Sequence, residues 1–244
     1  MRFRVFALCL VFALPALAGA PDYSAAISDA RRPATDSARD AARKPADMLA
    51  FAGLNAGLKV MDLIPGGGYF TRLFAAAVEP SGHVYAYQPT EFDSFLKGKE
   101  PPVTAVAKSY PDVTVIRASV NTLTVPEKLD IIWTSQNYHD FHNIPDVKIE
   151  TINRAIWSAL RPGGTYLVLD HAAEAGSGTR DTNTLHRIDK QTVVQEVTSA
   201  GFELSGESDI LNNKADPHTA KVFDPSVRGH TDQFILKFKK KSSS

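Results

Sequence analysis

From residue 58 onward, short apolar runs alternate with longer amphipathic stretches, a rhythm that predicts strands separated by helices. The strands are expected at 58–64, 83–87, 113–117, 129–134 and 165–169, and the helices at 70–78, 103–110 and 147–160. The last of these helices ends in the turn Arg161-Pro162-Gly163-Gly164. A further helix has Asp189 as a natural N-cap, Val193, Val194 and Val197 as its apolar stripe, and Gly201 as its stop. Two strands finish the chain, at 202–204 with room to extend and at 233–238. A polar segment containing Asn, Asp and Pro, 212–230, separates them. Connections of that length tend to be functional or mobile. The alternation argues for an α/β fold in which helices cover both faces of a mostly parallel sheet. Ahead of it, residues 21–45 are rich in Ala, Arg, Asp, Ser and Pro and show little apolar periodicity. Ala46-Asp47-Met48-Leu49-Ala50-Phe51 then forms a short amphipathic helix closed by Gly53, so the N-terminal part reads as an arm packed on a core. No internal repeat or second domain is visible.

Within this pattern Val60-Met61-Asp62-Leu63-Ile64-Pro65-Gly66-Gly67-Gly68-Tyr69-Phe70-Thr71 reads as a strand, a glycine turn and a helix start. Three consecutive glycines remove every Cβ where backbone must bend and approach a ligand, and the helix start offers unpaired amides to polar ligand groups. A plain strand-to-helix turn rarely needs three glycines, and Asp62 adds an acceptor at the strand's end. A nucleotide-type pocket is the expectation.

Composition narrows the classes further. At 244 residues, 43% hydrophobic and 22% charged, the chain suits one globular domain with a full core and is neither disordered nor fibrous. Formal net charge is zero, so no overall field recruits nucleic acid or an anionic membrane. The basic tail Lys237-Phe238-Lys239-Lys240-Lys241 reads as a solubilising end to the last strand. At the other end, Arg2 and Arg4 precede an apolar run over 5–14, then Pro15 and the small-residue sites Ala16-Leu17-Ala18 and Ala18-Gly19-Ala20. This pattern predicts a cleavable secretory signal over 1–20 and an exported, periplasmic protein. The run is short of the ~20 residues of a membrane-spanning helix. Cys9 lies inside the apolar run without the small residue expected before a lipidated cysteine. As the only cysteine it would be removed with the signal, leaving no disulfide, thiolate nucleophile or cysteine metal site.

Taken together, the strand, Asp62, the glycine turn, the alternating elements, the Arg161-Pro162-Gly163-Gly164 turn and the closing strand pair resemble class I S-adenosylmethionine-dependent methyltransferases, over about residues 45–240. More narrowly, the chain is similar to a bacterial group of predicted, often exported methyltransferases. The motifs that carry this likeness are Pro65-Gly66-Gly67-Gly68-Tyr69, Asn137-Tyr138-His139-Asp140, Asp170-His171 and His186-Arg187-Ile188-Asp189. The resemblance implies a Rossmann-like, doubly wound, seven-stranded sheet with an antiparallel last strand, a helical arm over 21–45 and a methyltransferase-like domain over 46–244. It also implies S-adenosylmethionine as cofactor, with its methionine part against Pro65, Gly66, Gly67, Gly68 and Tyr69 and its amino group near Asp62. Ile64 stands where the class has the first glycine of its motif. Gln88 stands at the end of the second strand, where the class has an acidic residue gripping the ribose hydroxyls; a neutral amide accepts more weakly there. Ser119 or Asn121 takes the place of a polar adenine contact, and Asn137 is counted with the cofactor pocket.

Ligands of doubly wound sheets bind beyond the carboxyl ends of the strands. Tyr138, His139, Asp140 and His142 follow the fourth strand, Asp170 and His171 end the fifth, and His186, Arg187 and Asp189 precede the next helix. Histidine can take a proton from a nucleophile near neutral pH, and a neighbouring aspartate can fix its tautomer. His139, Asp140 and His171 are the expected catalytic residues. Asp189 also reads as a helix cap, Arg187 as a surface cation and His142 as a loop residue. His139, His142, His171 and the aspartates could alternatively ligate a metal, but His-x-x-His spacing alone is a weak signal and no metal is assigned. His83, His218 and His230 receive no role, and 212–232 is a candidate lid. Three functions fit these residues. The first is methyl transfer to a small molecule, the second a different enzyme using the histidine and aspartate rim, and the third a binding protein for a nucleoside-like ligand.

Overall fold

The computed structural model describes residues 21–241; the signal expected over 1–20 lies outside the described residues. Seven strands form one sheet: β1 (Lys59–Leu63), β2 (His83–Pro89), β3 (Val113–Ala118), β4 (Leu129–Ser135), β5 (Leu160–His171), β6 (Phe202–Ser208) and β7 (Gln233–Lys240). Their order is β3-β2-β1-β4-β5-β7-β6. All pairs among β1 to β5 are parallel, while β7 runs antiparallel to β5 and to β6, as expected of the last strand. The order reverses between β1 and β4, which opens the crevice where doubly wound sheets take their ligands.

Four short helices, α1 (Ser24–Ile27), α2 (Ala34–Ser37), α3 (Asp40–Arg43) and α4 (Pro45–Ala52), precede the sheet. After β1 comes α5 (Tyr69–Val78); α6 (Asp93–Leu96) and α7 (Thr104–Ala107) lie between β2 and β3, α8 (Ile149–Ala159) between β4 and β5, and α9 (Lys190–Ser199) between β5 and β6. No helix among the described residues is long and apolar enough to cross a membrane.

Strand alternation sorts the side chains into two cores. Val60, Ile131, Trp133, Leu167 and Leu169 meet Phe70, Leu73 and Phe74 of α5 together with Met48 and Leu49 of α4. Met61, Leu63, Ile132, Tyr166 and Val168 meet Ile152 and Ile156 of α8 and Val193 and Val197 of α9. Asp62 shares the α5 side with Val60 and is the charged residue among these β1 positions.

Two elements differ from the sequence pattern. The helix expected over 103–110 is reduced to α7, because Pro111 cannot continue it and Tyr110 turns in to a fully buried position. The Arg161-Pro162-Gly163-Gly164 segment ends α8 but belongs to the start of β5, where the β4 register shifts between Leu129 and Ile131. Gly163 has φ 73°, and a Cβ on Gly164 would lie 2.9 Å from the Arg161 carbonyl oxygen, so both glycines are required there.

Candidate functional site

The glycine turn lies at the carboxyl end of β1, and its three glycines answer different needs. Gly66 has φ 54° and Gly67 is exposed; a Cβ on either would meet open space. Gly68 has φ 80°, and a Cβ there would sit 2.6 Å from Val106 Cγ2, so this glycine is demanded by packing against α7. Ile64 has φ 61°, the left-handed conformation that a glycine adopts freely and a β-branched residue adopts under strain. The backbone therefore keeps the shape of a glycine-first turn although the residue is isoleucine. Asn137 holds it, donating from Nδ2 to the Ile64 carbonyl at 3.1 Å and to the Ser135 carbonyl at 2.6 Å.

Asp62, Pro65, Gly66, Gly67, Tyr69 and Asn137 line a cavity of about 200 Å³. Burial pushes the Asp62 carboxyl up to about 6, against the bond donated by the Thr71 hydroxyl at 2.6 Å and the nearby charge of Arg43. The opposite wall comes from the arm. Arg39 and Arg43 lean over the Tyr69 ring, each 4.8 Å from its centre, and line the same cavity. Burial and the charge of Arg39 lower the Arg43 pKa, and Arg43 donates to Gln136 Oε1 at 2.9 Å. The arm is fastened to the turn itself. Buried Asp36 pairs with Arg39 at 2.7 Å and with Arg72 at 2.9 Å, Arg72 donates to the Gly67 carbonyl at 2.9 Å, and the Tyr69 hydroxyl donates to Asp40 at 2.7 Å.

A larger cavity of about 510 Å³ shares Ile64, Gly66, Gly67, Gln136 and Asn137 with the first. It extends past Gln88, Phe92 and Phe95 on one side and to His139, Asp140, His171 and His186 on the other. Gln88 is buried, with a long bond of 3.4 Å to the Pro89 carbonyl. The Ser119 hydroxyl donates to Glu91 and Ser119 lines neither cavity. Two exposed rings, Phe95 and Phe223, stand at the cavity's margins.

At the histidine end, Asp170 is fully buried and its oxygens accept from His139 Nδ1 at 2.8 and 3.0 Å, from the His139 amide at 2.8 Å and from the His171 amide at 2.8 Å. Burial alone would lower the His139 imidazole, but the charge and bonds of Asp170 outweigh it and hold the ring above its ordinary value. Asp170 is correspondingly held low against its own burial. Burial pushes His171 down to about 4, so this ring is neutral near pH 7, and its Nδ1 lies 2.7 Å from the Thr231 hydroxyl. His142 turns away to Glu196 at 3.2 Å.

His186 joins this group from the loop before α9. That loop is pinned by the Ile188 amide on the His171 carbonyl at 3.1 Å and by the bridge between Ala172 and Ile188. Arg187 is not the surface cation of the sequence reading. Both it and its partner Asp216 have fully buried side chains, joined at 2.8 and 3.1 Å, and Arg187 also donates to the Ala172 and Ala220 carbonyls at 2.9 Å. This pair ties the polar segment 212–230 beneath the rim and brings Val222 and Phe223 to the cavity. Asp189 caps α9, accepting from the Gln191 amide at 3.0 Å.

His139, Asp140 and His171 thus line one end of the larger cavity, which also takes in Gln88; Asp62, Pro65 and Tyr69 line the smaller one, and Gly66, Gly67 and Asn137 are common to both. Arg39, Arg43 and Gln136 were missed. The arm's arginines carried no motif, and Gln136 shows its importance only through φ 61° and its place between Arg43 and Gln233.

This chain has the class I methyltransferase fold. Among solved structures it is similar to a SAM-dependent methyltransferase from Aquifex aeolicus, with a TM-score of 0.57 and 14% identity over 83% of this chain and 98% of that one. It is also similar to the Burkholderia thailandensis 1,6-didemethyltoxoflavin-N1-methyltransferase, solved with S-adenosylhomocysteine bound, with a TM-score of 0.57 and 17% identity over 85% and 80% of the two chains. A third likeness, to the [4+2]-cyclase SpnF, has a TM-score of 0.59 and 16% identity over 88% and 85%. No protein-family model and no curated protein matches the chain.

Proposed function

We propose that the protein transfers a methyl group from S-adenosylmethionine to a small-molecule acceptor, and that it belongs to an exported bacterial group of such enzymes. The observation that carries this reading is the charge pattern of the smaller cavity. A buried carboxylate, Asp62, faces two guanidiniums, Arg39 and Arg43, across a turn whose Gly66 and Gly67 leave room for a ligand. An α-amino acid end group, with its ammonium toward Asp62 and its carboxylate toward the arginines, complements that pattern. The larger cavity continues from there to Gln88 and to the aromatic rings, as a nucleoside attached to that amino acid requires. Gln88 contributes an uncharged acceptor for a ribose.

The cofactor supplies an electrophilic methyl group when bound. The chain's own part is to exclude water, to hold the acceptor against His139, Asp140 and His171, and to take its proton on an imidazole. His171 is neutral near pH 7 but, with its pKa pushed down to about 4, a weak proton acceptor, whereas Asp170 keeps a proton on His139 Nδ1 and leaves Nε2 of that more basic ring toward the cavity.

Calorimetry with S-adenosylhomocysteine tests the reading. Binding is expected for the unaltered chain, and Asp62→Ala is expected to weaken it about 100-fold, as loss of a charged hydrogen bond does. No heat at millimolar ligand would refute it. Sequencing the mature N-terminus of the secreted protein tests export.

The His139–Asp170 dyad also favours a second reading, a different reaction on the same fold driven by acid–base chemistry at the rim. Retention of the labelled methyl group on the cofactor during turnover would decide for it.

A further inference from the structure

The geometry points to a three-ligand divalent metal site formed by His139 Nε2, Asp140 Oδ1 and His186 Nδ1, of the kind that takes zinc. His139 Nε2 lies 3.4 Å from Asp140 Oδ1 and 3.4 Å from His186 Nδ1, and the third edge, His186 Nδ1 to Asp140 Oδ1, is 3.7 Å. All three edges are longer than a good hydrogen bond, about 2.7–3.2 Å, so the groups hold one another only weakly. Donors around a tetrahedral ion at about 2.1 Å stand about 3.4 Å apart, while adjacent donors of an octahedral ion stand about 3.0 Å apart, and the observed triangle fits the tetrahedron. It is the one group of three or more such side chains within ligating distance among the described residues.

The surroundings are built as metal sites are. A ligating histidine donates its other ring N–H to a carboxylate, which fixes the ring and its tautomer. Asp170 does this for His139, and it is itself held by the two backbone amides of His139 and His171. His186 is held at φ 55° by the strapped loop before α9, over the buried Arg187–Asp216 pair, and the Phe223 ring covers it at 5.0 Å between ring centres. Each ligand therefore comes from a fixed element: the turn after β4 supplies two and the loop after β5 the third.

Three protein ligands leave a fourth position, and the large cavity beside it reaches Gly66 and Gly67. An acceptor oxygen or sulfur bound there would have its pKa lowered next to the methyl donor's expected place. This use of the ion rests on the methyl-transfer reading; the ion's binding does not. It assigns His139 and Asp140 to ligation and proton acceptance to His171, and it selects acceptors with an ionisable hydroxyl or thiol group.

The test uses the untagged chain, stripped with chelator and titrated with zinc against a chromophoric competitor. One zinc per chain is expected, and cobalt in its place should give the visible bands of a tetrahedral site. His186→Ala and Asp140→Asn, checked for folding by circular dichroism, should each lose about 100-fold or more in affinity, while His142→Ala, which faces Glu196, should bind as the parent does. Less than stoichiometric zinc, or affinity unchanged in both ligand variants, overturns the proposal. Calorimetry with S-adenosylhomocysteine on the metal-free protein reports separately, so loss of the cofactor reading and loss of the metal site are distinguishable.

Discussion

At the Gly66 end the wall is backbone and paired opposite charges, with Asp62 opposite Arg39 and Arg43; at the His139 end it is three imidazoles and a half-buried carboxylate. The first arrangement suits recognition of a ligand whose charges do not change. The second suits proton transfer or ligation, because imidazole nitrogens and a carboxylate offer lone pairs to a proton or a metal ion. The two ends are also fastened differently. The turn is held from outside by the arm, through Asp36 and Arg72, and the rim from beneath, through Arg187 and Asp216. Binding and chemistry should therefore respond separately to mutation.

The largest expected effect is at the rim's anchor. Asp216→Ala leaves Arg187 as a buried unpaired charge and should cost about 3–5 kcal/mol in chemical denaturation. The folded fraction should still bind S-adenosylhomocysteine, since the turn is untouched. A loss below about 1 kcal/mol, the scale of a surface pair, would show that the pair does not hold the rim.

Next come two neighbouring glycines. Gly67→Val places a side chain in open cavity space and should weaken S-adenosylhomocysteine binding about 100-fold, the scale of a blocked contact, with little change in stability. Gly68→Val should do the reverse, destabilising by about 1–3 kcal/mol through overpacking against Val106. Equal effects of the two on binding and stability would erase the distinction between cradle and packing.

A smaller effect separates the ends by pH. Burial raises Asp62 to about 6, so below that pH the carboxyl is protonated and cannot pair with an ammonium group. Affinity for S-adenosylhomocysteine should rise with pH by up to about tenfold per unit below pH 6 and level off above it. The same raised pKa means that the folded state holds this proton more tightly than the unfolded chain, so Asp62 lowers stability as pH rises toward 6. Asp62→Asn should flatten the binding profile; an unchanged slope would place the titration at another group.

The smallest effect is at Gln88. Gln88→Asp restores a charged acceptor and should tighten binding about 3- to 10-fold, the order of one charge-assisted hydrogen bond.

Most of the sheet was legible because each strand announces itself locally. The apolar runs at 58–64 and 129–134 are buried on both faces, and Asp189 and Gly201 bracket α9 with the residues that helix ends require. The glycine turn was legible for the same reason. The rim was legible in part: His139 and His171 follow strands whose ends face the crevice. His186 was noted beside them, but nothing in the sequence set its distance from Asp140. Of the two readings open for Arg187, rim residue or surface cation, the sequence could not choose, because its buried partner Asp216 lies in a segment without periodicity.

By itself, then, the sequence determined the α/β class, the strand and helix spacing, the turn with Asp62 beneath it, and the residue types available for chemistry, since all of these depend on neighbours within a few positions. Tertiary structure alone decided that the arm's Arg39 and Arg43 close the cavity, that Ile64 adopts a glycine's conformation, and that His139, Asp140 and His186 form a triangle of 3.4–3.7 Å. These contacts join residues far apart in the chain, such as Arg43 with Gln136 and His139 with His186, and only the folding of the sheet sets such distances.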